Sequence, residues 1–203
     1  RIKHEPTLVS ADTAARGRRT DFLRRAVDVA ADLGAACVSL WAGAARDAAD
    51  EETLWNRLLA GLGPVLDQAA RRGVPLGFEP EPGMFIDTLA RHGELLDRAG
   101  RPDGLRLTVD LGHLECMGER PADLRPWAGH VVNVHVDDML ACRHEHLPLG
   151  AGDVDFPGLL AVLAAGGSTG GLHVELPRQA HRWVDTARES FAFLAPLLES
   201  LPA

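Results

Sequence analysis

Acidic and histidine side chains stand at the ends of four apolar segments, and these groups could do chemistry. In chain order the groups are Glu79, Asp110, His135 and Glu175. Each preceding segment has the length and apolar character of a buried strand. Three carboxylates and one imidazole are hard ligands suited to Mn²⁺, Mg²⁺ or Co²⁺, and Zn²⁺ also fits. The sequence therefore predicts one divalent metal ion with open positions that vicinal oxygens of a hydroxy-carbonyl substrate could fill.

Each of these four groups has a plainer interpretation when it is taken alone. An acid at a strand end can be a solvated cap or the partner of a nearby arginine. The same arrangement recurs in four successive units, each time directly after an apolar run. This recurrence favours the metal site over four unrelated surface acids.

Helical patterns separate the apolar segments. Thr20 with Asp21 is expected to cap a first helix that ends at Gly34, and residues 1–19 are expected to form a surface loop. Residues 142–155 are expected to form a long polar loop. Other helices are expected over residues 54–69, 86–96, 159–165 and 184–198, and strands near residues 36, 74, 105, 131 and 171. This alternation is typical of βαβ units with a parallel sheet.

The fold class expected from this alternation is α/β, specifically a (β/α)8 TIM barrel. No GxGxxG motif follows any strand, which argues against a dinucleotide-binding fold. A barrel places its active site at the carboxyl ends of its strands, where the acids and histidine lie here. A barrel has eight strands and about 250 residues. Because only five strands are visible, residues 1–203 are expected to form a single barrel domain that lacks the first one or two βα units.

Composition narrows the classes of partner. With 203 residues, 46% hydrophobic and 25% charged, the chain suits one globular domain. A net charge of −8 disfavours binding to nucleic acid or to an anionic membrane. Its three cysteines form no CxxC pair, which argues against a disulfide framework and favours a cytoplasmic location. No apolar run approaches the roughly 20 residues needed to span a bilayer.

The order of the motifs resembles a known family. A glutamate is followed by Asp-x-x-His (Asp110, His113), by His-x-Asp (His135, Asp137), by Gly-x-Gly-Asp-x-Asp-Phe and by Glu175. This order resembles the xylose isomerase-like TIM-barrel superfamily, which holds sugar and sugar-phosphate isomerases and epimerases, inosose dehydratases and endonuclease IV. The resemblance covers about residues 20–200.

The resemblance implies a single divalent metal held by Glu79, Asp110, His135 and Glu175. In the family's epimerases the two glutamates face opposite sides of the sugar, so Glu79 and Glu175 would exchange protons with the carbon beside the carbonyl. The metal would stabilise a cis-enediolate. The lysine that xylose isomerases use for a hydride shift is missing. The implied activity is therefore an isomerase or epimerase of a small sugar, sugar phosphate or related polyol, acting by proton transfer.

Further polar side chains could contact the substrate. His113 could bind substrate or a neighbouring carboxylate, or simply cap the strand end. Asp137 shares the face of His135 and could orient that imidazole or hold a substrate hydroxyl, whereas Asp138 points the other way and is expected to be structural. Trp41 ends the first visible strand and could form an apolar pocket wall against a sugar ring, or pack in the core.

The segment 142–155 is dense in polar groups. Arg143 could bind an anionic group of the substrate, and His144 or His146 could assist. In the endonuclease branch a histidine from this region binds an additional metal, so a multinuclear site stays open. The plain alternative is a solvated loop with capping histidines.

Three other functions stay open. A lyase such as an inosose-type dehydratase uses the same metal and base. An endonuclease IV-like phosphodiesterase is disfavoured by the acidic charge and by the absence of the histidines that the family's first strands supply. A non-catalytic barrel serving as a subunit is the third. The sequence leaves the oligomeric state open, a homo-oligomer included.

Overall fold

The structure is a computed structural model that describes residues 4–201. The chain forms two compact units, one up to Arg106 and one from Leu107 onward. Among the described residues, no helix combines the length and the apolar character needed to cross a membrane.

The first unit alternates helices and short strands. Its elements are helix α1 (Thr13–Leu33), strand β1 (Val38–Leu40), helix α2 (Glu51–Arg72), strand β2 (Leu76–Phe78), helix α3 (Leu89–Arg98) and the start of strand β3 (Leu105–Asp110). Strands β1 and β2 pair in parallel with Leu40 opposite Phe78. The backbone N–H of Glu79 donates to Leu40 O at 2.8 Å, so this pairing extends to the carboxylate that follows β2.

The two long helices of this unit begin and end at residues suited to those positions. Asp50 caps α2 by accepting a hydrogen bond from Thr53 N at 2.7 Å. At the other end, Gly73 adopts φ 69°, a conformation that glycine reaches without strain. Helices α1 and α2 pack together, and Thr20 Oγ1 donates to Gly61 O at 3.2 Å between them.

The prediction for the start of the chain was wrong. Residues 1–19 were expected to form a surface loop with a cap at Thr20, but α1 begins at Thr13 and Asp12 caps it by accepting from Ala14 N. Thr20 is instead a buried residue inside the helix. The side chain of Arg16 donates to Ser10 O and Ala11 O, which ties the preceding segment to the first turn of the helix.

The second unit contains a parallel sheet in the order β3, β4, β7. Its further elements are helices α4 (Leu111–Met117) and α5 (Pro121–Leu124), a 3-10 helix (Arg125–His130), strands β4 (Val131–Val136), β5 (Asp138–Leu140) and β6 (Arg143–Leu147), helix α6 (Phe156–Ala165), strand β7 (Gly171–Val174), a 3-10 helix (Pro177–Arg182) and helix α7 (Trp183–Glu199). The strands predicted near residues 105, 131 and 171 and the closing helix are confirmed.

Part of the predicted polar loop is a strand. Strand β6 pairs antiparallel with β5, so residues 138–147 form a hairpin instead of an irregular loop. Cys142 turns the hairpin with φ 60°, and its N–H donates to Cys116 O at 3.0 Å, which attaches the turn to the end of α4. The side chains of β6 are exposed or half-exposed, and four of its five residues are polar, so the sequence offers little hydrophobic signal for this strand.

Asp138 organises the segment that follows the hairpin. Its buried carboxylate accepts hydrogen bonds from the backbone N–H groups of Gly150, Gly152 and Val154 at 2.8 to 3.1 Å, and from Met139 N at 3.0 Å. The prediction that Asp138 is structural is thereby confirmed.

Candidate active site

Three of the predicted metal ligands lie at neighbouring strand ends in the second unit. Asp110 ends β3, His135 lies near the end of β4, and Glu175 directly follows β7. Asp110 is the register partner of His135, and the N–H of Glu175 donates to Val136 O at 3.0 Å. Parallel strands in this register bring the three side chains side by side. Each offers a ligand atom within 4.8 Å of the ligand atoms of the other two.

The imidazole of His135 is held on both edges. Nδ1 lies 2.8 Å from Glu175 Oε2, and Nε2 lies 3.0 Å from Nδ2 of Asn133. The hydrogen bond from His135 lowers the pKa of Glu175 below its ordinary value, while partial burial opposes that effect. Glu175 is therefore ionised at neutral pH and can act as a ligand or as a base.

Asp110 has one carboxylate oxygen engaged and one available. Oδ1 accepts a hydrogen bond from His113 N at 2.9 Å and caps α4. Oδ2 is buried, lies 3.9 Å from Nε2 of His113 and accepts no hydrogen bond from the part of the chain that the structure describes. A buried carboxylate oxygen without a donor is costly, and a cation would satisfy it. The donor set and this oxygen together fit a divalent metal ion.

A second pair of polar side chains lies close to Asp110. Asp137 is fully buried, and its carboxylate pairs with Nδ1 of His146. Burial raises the pKa of Asp137 to about 7, while the hydrogen bond with His146 acts in the opposite direction. The same hydrogen bond raises the pKa of His146. Asp110, Asp137 and His146 also offer ligand atoms within 4.8 Å of one another.

Gly112 makes room for the buried aspartate. A Cβ atom at this position would overlap Oδ1 of Asp137 and lie 2.7 Å from Cγ of Met139. Since α4 starts directly after Asp110, a glycine in its first turn lets the helix approach the Asp137 carboxylate closely.

Three histidine rings cluster beside these carboxylates. The ring centroid of His113 lies 4.9 Å from that of His144 and 5.9 Å from that of His146. Partial burial lowers the pKa of His144 to about 4, and the neighbouring His113 and His146 contribute to the shift. His144 is therefore neutral at pH 7 and can donate or accept a hydrogen bond with a sugar hydroxyl.

The other predicted site residues have different surroundings. Glu79 is buried in the first unit directly after β2. Trp41 follows β1, with the Arg19 guanidinium 4.6 Å from its ring centroid and the His4 ring packed edge-on against it. Arg143 is exposed on β6, where it pairs with Glu145 at 2.9 Å. The roles of Glu79, Trp41 and Arg143 stay predictions.

Two residues of the site were not anticipated from the sequence. Asn133 contacts His135, and its place two residues earlier on the same strand face was the available signal. Gly112 carried no signal, because the need for a glycine there arises from Asp137, which is distant along the chain.

The sequence matches one family model and a set of curated sugar-phosphate epimerases. A family model described as xylose isomerase-like TIM barrel matches residues 3–197. The L-ribulose-5-phosphate 3-epimerase UlaE of Salmonella paratyphi C (strain RKS4594) is 28% identical over 193 residues, covering 93% of this chain and 64% of that protein. The chain thus spans just under two thirds of the length of the curated relatives it matches.

Solved structures share the fold. The structure of the IOLI protein with a binding zinc atom has a TM-score of 0.83 at 17% identity, covering 97% of this chain and 75% of that one. The apo 3-keto-D-glucoside 4-epimerase YcjR from E. coli has a TM-score of 0.82 at 18% identity, covering 94% and 75%. At these identities the likeness shows the fold alone.

Proposed function

Because the chain belongs to the xylose isomerase-like TIM barrel family, we propose that it acts as a divalent-metal-dependent epimerase or isomerase of a small sugar, sugar phosphate or related polyol. The observation that carries the proposal is the triad of Asp110, His135 and Glu175, whose ligand atoms lie within 4.8 Å of one another. The buried Oδ2 of Asp110 supports a cation at this position. Glu79 would be the fourth ligand, as the family resemblance implies.

The two glutamates would move the proton. The lowered pKa of Glu175 supports a role as the base that removes a proton from the carbon beside the substrate carbonyl. Glu79 would return a proton to the opposite face, which inverts that carbon. A bound divalent cation supplies a Lewis acid that makes this carbon more acidic. Mn²⁺, Mg²⁺, Co²⁺ and Zn²⁺ all suit a ligand set of carboxylates and one imidazole.

Other side chains would orient the sugar. His113, His144 and Asp137 carry polar atoms near the triad that can bind hydroxyl groups. Arg143 would contact an anionic group, and Trp41 would cover an apolar ring face. UlaE is named for a phosphorylated ketose and YcjR for a keto-glucoside, so both substrate types belong in a screen.

The proposal is tested by hydrogen exchange during turnover. The full chain is stripped with EDTA, reloaded with Mn²⁺ and incubated in D₂O with a panel of ketoses, keto-glycosides and ketose 5-phosphates. We expect one substrate to gain deuterium at a single carbon while its epimer or isomer forms, only with metal present. Product without deuterium would contradict proton transfer, and water loss with a new enone absorbance would indicate a lyase instead.

A matched pair of variants tests the requirement for Glu175. Glu175→Gln is expected to lower turnover by roughly 10² to 10⁴-fold, the usual effect of losing a general base. Glu189→Gln, on α7 and paired with Arg182, removes the same charge from an exposed position and is expected to retain full activity. Equal activity in both variants would contradict the assigned role of Glu175.

The three-histidine cluster favours a second candidate function, a metal-dependent phosphodiesterase. His113, His144 and His146 offer ligand atoms within 4.8 Å of one another, and the resembling endonuclease branch uses a histidine from this region for an additional metal. The net charge of −8 opposes binding to nucleic acid. Nicking of a duplex with an abasic site, together with more than one bound metal per chain, would favour this candidate.

A further inference from the structure

We infer that Asn133 is a positioning residue that holds the ring of His135 in the orientation that presents Nδ1 to the metal site. The inference rests on the proposed function, because it concerns how the chain presents the imidazole to the cation. Asn133 lies on β4, two residues before His135, so both side chains project from the same face of the strand. Nδ2 of Asn133 lies 3.0 Å from Nε2 of His135.

The two ring nitrogens of His135 face different partners. Nδ1 lies 2.8 Å from Oε2 of Glu175, another candidate ligand, whereas Nε2 faces the amide of Asn133. Nδ1 is therefore the nitrogen on the side where the cation would bind. A ligating nitrogen must be unprotonated, so the single proton of the neutral ring has to lie on Nε2.

An asparagine amide can form a hydrogen bond with either neutral tautomer of this ring. With the proton on Nδ1, the amide NH₂ donates to Nε2, as the placement of Nδ2 indicates. With the proton on Nε2, a half-turn of the amide brings its carbonyl oxygen into position to accept. The same side chain can thus hold the ring with and without metal. When the amide oxygen accepts from Nε2–H, Nδ1 carries no proton and its lone pair is free for the cation.

The backbone of Asn133 lies close to Gly170, and the residue is almost fully buried. Asn133 is 8% exposed, and a Cβ atom at Gly170 would lie 2.8 Å from its backbone nitrogen. Asparagine is also disfavoured in strands relative to valine or threonine. A polar, poorly strand-forming residue at a buried position of a central strand is explained by its contact with the imidazole.

Substitutions at Asn133 separate positioning from a structural role. Asn133→Leu has a similar size and no acceptor, and we expect it to weaken Mn²⁺ binding by about 10 to 100-fold, as loss of a histidine's hydrogen-bond partner commonly does. Asn133→Asp supplies a stronger acceptor for Nε2–H and is expected to bind Mn²⁺ at least as tightly as the unmodified chain. A purely structural role predicts the opposite for Asn133→Asp, because a buried aspartate suits a strand even less.

The measurement is the Kd for Mn²⁺ of the full chain, obtained from the EPR signal of free Mn²⁺ during titration. Thermal unfolding in EDTA reports the fold of each variant. Val134→Ala, a buried position on the other face of β4, is the control and is expected to lower the melting temperature without changing the Kd.

The outcomes are distinct. Equal Kd values for Asn133→Leu and the unmodified chain would overturn the positioning role while leaving the metal site intact. Equal weakening in Asn133→Leu and Asn133→Asp would overturn it in favour of a structural role. If the unmodified chain binds no Mn²⁺, the proposed function fails first and the positioning role fails with it.

Discussion

The buried Asp137, directly before β5, and the half-buried His146 on strand β6 form an ion pair. Both groups have raised pKa values: burial raises that of Asp137 to about 7, and the hydrogen bond with Asp137 raises that of His146 above 6.5. The folded pair therefore keeps protons that the unfolded chain releases. Because His144 and His146 both lie on β6, this pair connects the buried Asp137 to the strand that carries His144.

The first prediction is that the free energy of unfolding falls as the pH rises from about 6 to 8. When the folded state binds more protons than the unfolded state, stability decreases with rising pH, by about 1.4 kcal/mol per pH unit at most for one proton. Urea denaturation of the full chain in EDTA across this range measures the slope. Asp137→Asn removes the acidic partner and is expected to flatten it. An unchanged slope in Asp137→Asn would show that other groups cause the dependence.

The second prediction concerns Gly112. A Cβ atom there would overlap Oδ1 of Asp137, so Gly112→Ala is expected to destabilise the fold by roughly 1 to 3 kcal/mol through overpacking. Gly17 lies inside helix α1 with nothing within 4 Å of the position of a Cβ atom, so Gly17→Ala is expected to stabilise by about 0.5 to 1 kcal/mol. Urea denaturation measures both. A Gly112→Ala variant as stable as the unmodified chain would contradict the close approach of α4 to Asp137.

The third prediction concerns Asp138. Asp138→Ala leaves backbone N–H groups of Met139, Gly150, Gly152 and Val154 without their acceptor, so we expect a loss of roughly 3 kcal/mol or more. Asp67→Ala, on the exposed side of α2, is the control and is expected to change stability by no more than about 0.5 kcal/mol. Comparable unfolding midpoints for the two variants would contradict the organising role of Asp138.

Sequence reasoning located the strands that carry the site because they are short apolar runs that end in acids or histidine. Asp110, His135 and Glu175 were placed at strand ends, and the register of a parallel sheet then brings such ends together. Local signals of this kind are strong, since each depends only on neighbouring residues.

The errors have one physical cause in common: hydrogen bonds, and not an apolar pattern, define these elements. The start of α1 is fixed by Asp12 and by the hydrogen bonds of Arg16, within a stretch that has few apolar residues. Strand β6 is stabilised by pairing with β5 and by the contact of Cys142 with Cys116, and not by an apolar pattern. Neither interaction leaves a periodic signature in the sequence.

The fourth prediction separates the two functions of the Asp110 carboxylate. Oδ1 caps α4 through His113 N, and Oδ2 is the buried oxygen available to a cation. Asparagine is as good an N-cap as aspartate, so Asp110→Asn is expected to keep the stability of the unmodified chain in EDTA. Its amide nitrogen cannot ligate a cation.

Mn²⁺ at 100 times its Kd for the unmodified chain is expected to stabilise that chain by about 2.7 kcal/mol and to stabilise Asp110→Asn far less. Asp185→Asn, exposed on α7, is the control and is expected to respond to Mn²⁺ like the unmodified chain. Thermal unfolding with and without Mn²⁺ measures all three, and full stabilisation of Asp110→Asn by Mn²⁺ would place the cation elsewhere.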